Sequence, residues 1–281
     1  MKDTLFSVKK TLNIRGMLHS LDSPRIMGVV NLTPDSFYDK SRVKRDDEIK
    51  KRVEIMLSEG ADFIDLGGYS SRPGAAYVAE EEERERIFPA IRVILKNFPE
   101  TLISVDTFRS SIAKLAYDEG ACMINDISGG QMDDQMFKTI SEIRIPYILM
   151  HMRGNPKTMN SLTAYDNLFK DMINYFEGKI CELKESGVKD IIVDPGFGFA
   201  KSLDQNYELL KNFTYFEVLG YPLLVGLSRK SMIFKLLEVQ PSEALNGTIA
   251  LNTVSLLKRA SILRVHDIKE AKEVVKLVAK L

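Results

Sequence analysis

The chain alternates between short apolar runs that close in polar or glycine-rich residues and longer stretches with helical periodicity. Eight such runs occur: RIMGVVNL near 25–32, FIDLGG at 63–68, LISVDT at 102–107, CMINDIS at 122–128, PYILMHM at 146–152, DIIVDPGFG at 190–198, PLLVGLS at 222–228 and SILRVHD at 261–267. They are continuously apolar, as strands covered on both faces are. The stretches between them predict helices over 47–60, 80–97, 110–119, 133–141, 167–186, 206–212, 231–237, 244–259 and 268–280. In the first of these Ile49, Val53, Ile55 and Met56 fall near one face, and Gly60 can stop the last turn. Strands separated by helices with short returns run parallel in a right-handed succession, and eight is the number that closes into a (β/α)8 TIM barrel. An open doubly wound sheet is the alternative; eight units without a recognisable second domain favour closure.

The stretch 5–24 carries Arg15-Gly16 between two short apolar patches, which predicts a hairpin able to plug the bottom of the barrel. No linker, charge block, repeat or low-complexity tract marks a boundary, so the expected organisation is an extension over 1–24 and one barrel over 25–281. The 281 residues suit this, since such barrels commonly run to about 250 residues as one domain. Lys plus Arg equals Asp plus Glu at 39 each, which excludes a global pull towards nucleic acid or an anionic membrane; any anion site must be local. Cys122 and Cys181 lie far apart without a second pair at zinc spacing, and both are expected to be buried free thiols. Charge interrupts every apolar stretch near the N-terminus, and no run approaches the roughly eighteen apolar residues of a membrane span, so the chain reads as cytoplasmic.

In a barrel of this kind the C-terminal strand ends face a common bowl. Polar residues stand at those ends throughout: Asn31, Asp65 with Ser71 and Arg72 just beyond, Asp106, Asn125 and Asp126, His151, Asp194, Ser228 to Lys230, and Arg264 with His266. Asp106, Asn125 and Asp194 are two carboxylates and an amide, suited to an amino-pyrimidinone whose amino and ring N–H groups are donors and whose ring carbonyl or nitrogen Asn125 can meet as a donor. Paired acid–base chemistry is the other reading of this set, and Asp106 can also cap the helix that follows it. Arg72, Arg264 and His266, with Lys230 nearby, form a cationic set suited to a phosphate or diphosphate. Asn31 offers a hard oxygen for Mg²⁺, or else supports its own turn.

Two segments read as substrate walls. In DPGFGF, Gly196 and Gly198 permit positive φ, while Phe197 and Phe199 supply flat apolar surface, one of them to the core. In SRKS, Ser231 opens a helix whose N–H groups can hold a carboxylate. The GxxxxGK, HExxH and GxSxG motifs are absent, which removes support for ATP-dependent and hydrolytic chemistry.

Taken in order, IMGVVNLTPDSFYD, DLGGYSSRPGA, SVDTFR, INDISGG, ILMHMRG, VDPGFGFAK, VGLSRKSMI and RVHDIKEA resemble the dihydropteroate synthase family over about 25–280. The resemblance implies a transferase of the folate pathway that joins (7,8-dihydropterin-6-yl)methyl diphosphate to 4-aminobenzoate, with Mg²⁺ as cofactor and a homodimer as assembly. Carried over by matching motif, Asp106, Asn125, Asp194 and Lys230 would hold the pterin, and Asn31 would ligate Mg²⁺. Ser71, Arg72, Arg264 and His266 would hold the diphosphate; Ser231, Phe199 and Pro73 would line the aminobenzoate site. Asp106, Lys230, Arg264 and Asn31 are the expected catalytic set, acting on an SN1-like displacement under lids at 35–37 and 70–75. The chain departs from the family at Tyr69, where a Glu is frequent, and at Lys40 and Ser41, where glycines are. The rival readings are a methyltetrahydrofolate:corrinoid methyltransferase and a non-catalytic pterin-binding paralogue.

Overall fold

Arg15 (φ 53°) and Gly16 (φ 79°) both adopt left-handed backbone, and this two-residue turn joins β1 (Thr11–Ile14) to β2 (Met17–Ser20) as an antiparallel hairpin. It is the hairpin expected ahead of the barrel. A computed structural model of the chain describes residues 8–32, 42–69 and 77–281.

The eight expected strands are β3 (Arg25–Asn31), β4 (Phe63–Gly67), β5 (Ile103–Asp106), β6 (Met123–Asp126), β7 (Tyr147–Met150), β8 (Ile191–Asp194), β9 (Leu224–Val225) and β10 (Ile262–Val265). All pair in parallel, in the order β8-β7-β6-β5-β4-β3-β10-β9. A parallel bridge between Val193 and Leu223, with Val193 N donating to Pro222 O at 2.9 Å, closes the ring. β9 spans two residues where seven were expected, because only Leu224 and Val225 hold regular register against β10.

Alternation along each strand sorts its side chains into two cores. Ile26, Val30, Ile64, Leu66, Val105 and Ile124 face outwards into the layer shared with the helices. Met27, Phe63, Met123, Ile148, Ile192 and Ile262 face inwards, and Leu12 and Ile14 of the hairpin complete that inner cluster, each fully buried. The hairpin is thus the barrel floor. Lys9 fastens it through an ion pair with Asp190 at 2.7 Å, and Arg15 donates to Gly120 O at 3.0 Å.

The surrounding helices are α1 (Arg42–Glu59), α2 (Glu80–Asn97), α3 (Ser110–Asp118), α4 (Met136–Ile143), α5 (Leu168–Glu185), α6 (Leu203–Lys211), α7 (Ser231–Phe234), α8 (Leu245–Leu257) and α9 (Ile268–Val278). Their differences from expectation have local causes. α6 begins three residues earlier than predicted because Ser202 and Gln205 form a capping box. α4 begins later because the Asp133 carboxylate is spent on the N–H groups of Ser110 and Gln135. On α1, Ile49, Val53 and Met56 are buried, but Ile55 is 47% exposed, since it lies two residues from Val53 and so off the buried stripe. Gly60 at φ +100° does end that helix. Cys122 is buried and its thiol is pushed up to about 11 by burial, whereas Cys181 is exposed on α5, contrary to expectation. Among the described residues, no helix is long and apolar enough to cross a membrane.

Candidate active site

The inner register that fills the floor with Met27, Phe63 and Met123 carries polar side chains one layer higher. On β4, Phe63 and Gly67 share a face with Asp65; on β5, Ser104 shares one with Asp106; on β6, Met123 shares one with Asn125. Asp106 and Asn125 stand side by side in register. The wall is completed by Asp194 ending β8, Lys230 just before α7, and Arg264 on β10.

These groups form one network. Arg264 Nε donates to Asp65 Oδ2 at 2.7 Å, and Arg264 Nη2 donates to Asp106 Oδ2 at 2.8 Å. Asn125 Nδ2 donates to the same Asp65 oxygen at 3.1 Å. Burial pushes the Asp106 carboxyl up to about 7; Arg264 opposes this, and Asp65, Glu83 and Asp126 add to it. For Arg264, burial favours loss of the proton, but Asp65 and Asp106 outweigh it and hold the guanidinium charged. The cation assigned on sequence to the diphosphate is therefore shared with Asp106, assigned on sequence to the pterin, and with Asp65. Among the described residues, two of its five N–H groups are committed, to Asp65 and Asp106.

Asp194 accepts from Gly196 N at 2.8 Å, and its carboxyl is raised by burial against the attraction of Lys230. Lys230 donates to Phe197 O and lies 4.6 Å above the Phe199 ring; burial lowers its ammonium to about 8, with Asp194 opposing. Phe197 is the ring that serves the core, fully buried, and Phe199 faces the barrel mouth beside Phe108, Met150 and Met152. Gly196 (φ +71°) and Gly198 (φ +79°) both take the left-handed backbone expected of them. A Cβ on Gly196 would stand 2.2 Å from His151 O.

His266 Nδ1 lies 3.0 Å from Ser228 Oγ, and burial, then Arg264, lowers it to about 4. At neutral pH it is an uncharged hydrogen-bonding group in the free protein, not the cation that its place in the cationic set implied. Ser231 is half-buried at the first position of a four-residue helix, too short to supply the helix N-terminus foreseen there. Asn31 ends β3 half-buried, with its Oδ1 3.9 Å from where a Cβ on Gly67 would stand. Ser71, Arg72 and Pro73, the lids at 35–37 and 70–75, and Lys40 and Ser41 lie outside the described residues.

Two strand-end residues do not join the bowl. Asp126 neighbours Asn125 and so faces the other way, accepting from Ser128 N, Ser128 Oγ, Gly130 N and the Tyr147 hydroxyl to hold the INDISGG turn. His151 is enclosed by Tyr165, Tyr175 and Phe176, and burial keeps it neutral. The capping reading of Asp106 also falls, because Asp133 supplies the acceptor for Ser110 N at the start of α3.

Sequence reasoning gave no role to three groups the structure brings forward. Asp65 was noted only as a strand-end residue, though a charged residue inside an apolar strand was the available signal. Lys201, buried and lowered to about 7 by that burial, donates to Gly196 O and Phe199 O, each at 3.0 Å, and so ties the two ends of the DPGFGF turn. Arg109 pairs with buried Glu83 and donates to Val78 O, and Tyr69, Tyr77 and Phe108 surround its guanidinium. Tyr69, the departure from the family, is thus an aromatic wall of that pocket, edge-on to Phe108 at 5.2 Å.

A buried ring of acceptors and donors above a plugged barrel floor is a site for a flat, nitrogen-rich heterocycle. In agreement, the family model described as pterin binding enzyme matches residues 27–266, and the chain belongs to that family. The matched relatives narrow it to the dihydropteroate synthases. The dihydropteroate synthase of Escherichia coli (strain K12) is 41% identical over 266 residues, covering 94% of each chain. That of Clostridium beijerinckii is 41% identical over 255 residues, covering 90% of this chain and 92% of its own. Among solved structures, the Yersinia pestis dihydropteroate synthase in complex with a sulfonamide drug superposes with a TM-score of 0.89 at 37% identity, covering 96% of this chain and 98% of that one. The Xanthomonas albilineans enzyme with 4-aminobenzoic acid superposes with a TM-score of 0.88 at 32% identity, covering 97% and 98%.

Proposed function

We propose that the barrel mouth joins (7,8-dihydropterin-6-yl)methyl diphosphate to 4-aminobenzoate by a dissociative displacement, releasing 7,8-dihydropteroate and diphosphate. The observation that carries this reading is the buried network in which Arg264 spans Asp65 and Asp106 beside Asn125, with Asp194 and Lys230 on the same wall. Asp106 and Asp194 offer acceptors for the amino and ring N–H groups of the pterin, and Lys230 offers a donor to its acceptor edge.

Cleavage of the C–O bond sends its electron pair to the diphosphate and leaves positive charge on a methylene conjugated to the pterin. The carboxylates of Asp106 and Asp194 stabilise that charge, while the remaining N–H groups of Arg264 and the imidazole of His266 meet the leaving group. The amine nitrogen of 4-aminobenzoate then forms the new C–N bond and releases a proton to water. No protein nucleophile takes part; the residues orient the two substrates and exclude solvent. Phe199 and Ser231 line the aminobenzoate side, and a sulfonamide that mimics the arylamine would occupy the same place.

A Mg²⁺ ion fits this mouth. Among the described residues no cluster of His, Cys, Asp or Glu forms a metal cage, yet Asn31 brings one hard amide oxygen to the rim. One protein oxygen with substrate phosphates and waters is a donor set that Mg²⁺ accepts. Asn31 would hold the ion, which when bound would neutralise charge on the leaving diphosphate.

A homodimer is the proposed assembly: Leu236, Leu237 and Leu257, around α7 and α8, are each half or more exposed, an apolar area that a second copy would cover. The cytoplasm is the proposed location. The decisive experiment supplies both substrates with and without Mg²⁺; absence of dihydropteroate with everything present refutes the reading. Transfer of a methyl group to a corrinoid without aminobenzoate turnover would favour the methyltransferase instead.

A further inference from the structure

We propose that Asp65 is a positioning residue for the reaction above, fixing both the place of Arg264 and the hydrogen-bonding polarity of Asn125, so that Asn125 meets the pterin as an acceptor. Asp65 is fully buried in the middle of β4, and the guanidinium of Arg264 at 2.7 Å is the cation it pairs with. A carboxylate paired with a guanidinium only accepts hydrogen bonds. The same Oδ2 lies 3.1 Å from the Asn125 side-chain amide, so the amide must turn its NH2 towards Asp65. The opposite orientation would set a carbonyl oxygen against a carboxylate oxygen in a buried space.

That choice leaves Asn125 Oδ1 buried and without a hydrogen-bond partner among the described residues; Asp65 Oδ1 is in the same state. Buried acceptors left unpaired are costly, so both call for N–H donors. An amino-pyrimidinone has such donors on its amino group and ring nitrogens. To the role expected on sequence, Asn125 donating to a ring carbonyl or nitrogen, this adds an acceptor: one hydrogen of its amide nitrogen is committed to Asp65, and its oxygen is left for the ligand.

Arg264 depends on Asp65 for a different reason. Its Nε is fixed by Asp65 and its Nη2 by Asp106, two points that set both the position and the plane of the guanidinium. With Asp106 alone the group could rotate, and its remaining N–H groups would lose their aim at the leaving diphosphate.

The inference rests on the proposed reaction, and the test separates the two. Wild-type protein forming no dihydropteroate sinks the reaction itself; wild-type turnover with an unaffected Asp65→Asn variant sinks only this inference. The isosteric Asp65→Asn change should raise the Kd of a bare pterin and the KM of the pterin diphosphate about tenfold or more, as loss of a charged hydrogen bond does. The KM for 4-aminobenzoate should stay within about twofold of wild type, a split that general misfolding would not produce. Arg264→Lys should be markedly non-additive with Asp65→Asn in kcat/KM. Equal rises in both KM values, an unchanged pterin Kd, or additive effects would each overturn the proposal.

A second pair of variants covers poor folding of Asp65→Asn. Asn125→Asp alone places two carboxylates together and should abolish pterin binding. Combining it with Asp65→Ala removes the opposing carboxylate, leaves Arg264 paired with Asp106 and keeps an acceptor-only side chain towards the ligand, so binding should recover at least about tenfold over Asn125→Asp. Lack of recovery in the folded double variant would refute the acceptor role of Asn125.

Discussion

The carboxyl of Asp106 is pushed up to about 7 and the ammonium of Lys230 down to about 8, so substrate capture should follow a narrow bell-shaped pH profile. The acid limb has a definite sign. The pterin edge facing Asp106 donates N–H groups, and only the ionised carboxylate offers them acceptors without a competing proton. Its proton leaves as the pH rises through about 7, so kcat/KM for the pterin diphosphate should rise there. Two units below that point about one molecule in a hundred holds the carboxylate, which predicts a loss of about a hundredfold, or ~2.7 kcal/mol of transition-state stabilisation. The alkaline limb is the reverse case: Lys230 loses its proton as the pH passes about 8 and with it the charge it brings to the ring. Because Asp106 sits beside Arg264 and Asp65, the acid limb belongs to the network as a whole. The assay is kcat/KM at saturating 4-aminobenzoate, together with the Kd of a bare pterin. The latter removes the protonation of the diphosphate itself from the acid side. Asp106→Asn should abolish the acid limb and leave the alkaline one. A wild-type profile flat between pH 5 and 7, or an acid limb that survives in Asp106→Asn, would refute the reasoning.

Three further outcomes follow from single features. Leu12→Ala empties a fully buried place in the floor and should cost about 2–5 kcal/mol in urea unfolding, with pterin affinity per folded molecule unchanged; a cost below about 1 kcal/mol would show the hairpin to be peripheral. Gly196→Ala drives a methyl group into His151 O from a left-handed backbone, so it should displace the turn that donates to Asp194 and lower kcat/KM by at least about tenfold, and wild-type kinetics would contradict the site geometry. Chelation of Mg²⁺ should reduce turnover by about tenfold or more while leaving bare-pterin binding within about twofold, and equal loss of both would place the ion elsewhere.

The barrel was legible because its signals are redundant: apolar runs ending in polar or glycine-rich residues recur eight times, and stretches of helical periodicity separate them. Boundaries were less so where one local bond decides them, as at Ser202 and Asp133. β9 was overread because its apolar residues continue past the two that pair. Within the site, residue type and strand-end position located Asp106, Asn125, Asp194, Lys230 and Arg264, but strand direction was needed to remove Asp126, whose side chain lies one residue out of phase with the inner face.

Charge state was the part least visible in the chain. His266 belongs to a cationic set by sequence and is a neutral group in the fold, because burial and then the neighbouring Arg264 lower it. Arg264 was read as a diphosphate clamp with Asp65 treated as one more strand-end carboxylate. Placing Asp65 at the centre of the inner layer changes the proposed division of labour, since the guanidinium assigned to the leaving group is held by Asp65 and by Asp106, which is assigned to the ring. In the proposed reaction a pterin that satisfies the buried acceptors would also complete the setting of the cation, tying recognition of the heterocycle to stabilisation of the departing diphosphate through one guanidinium.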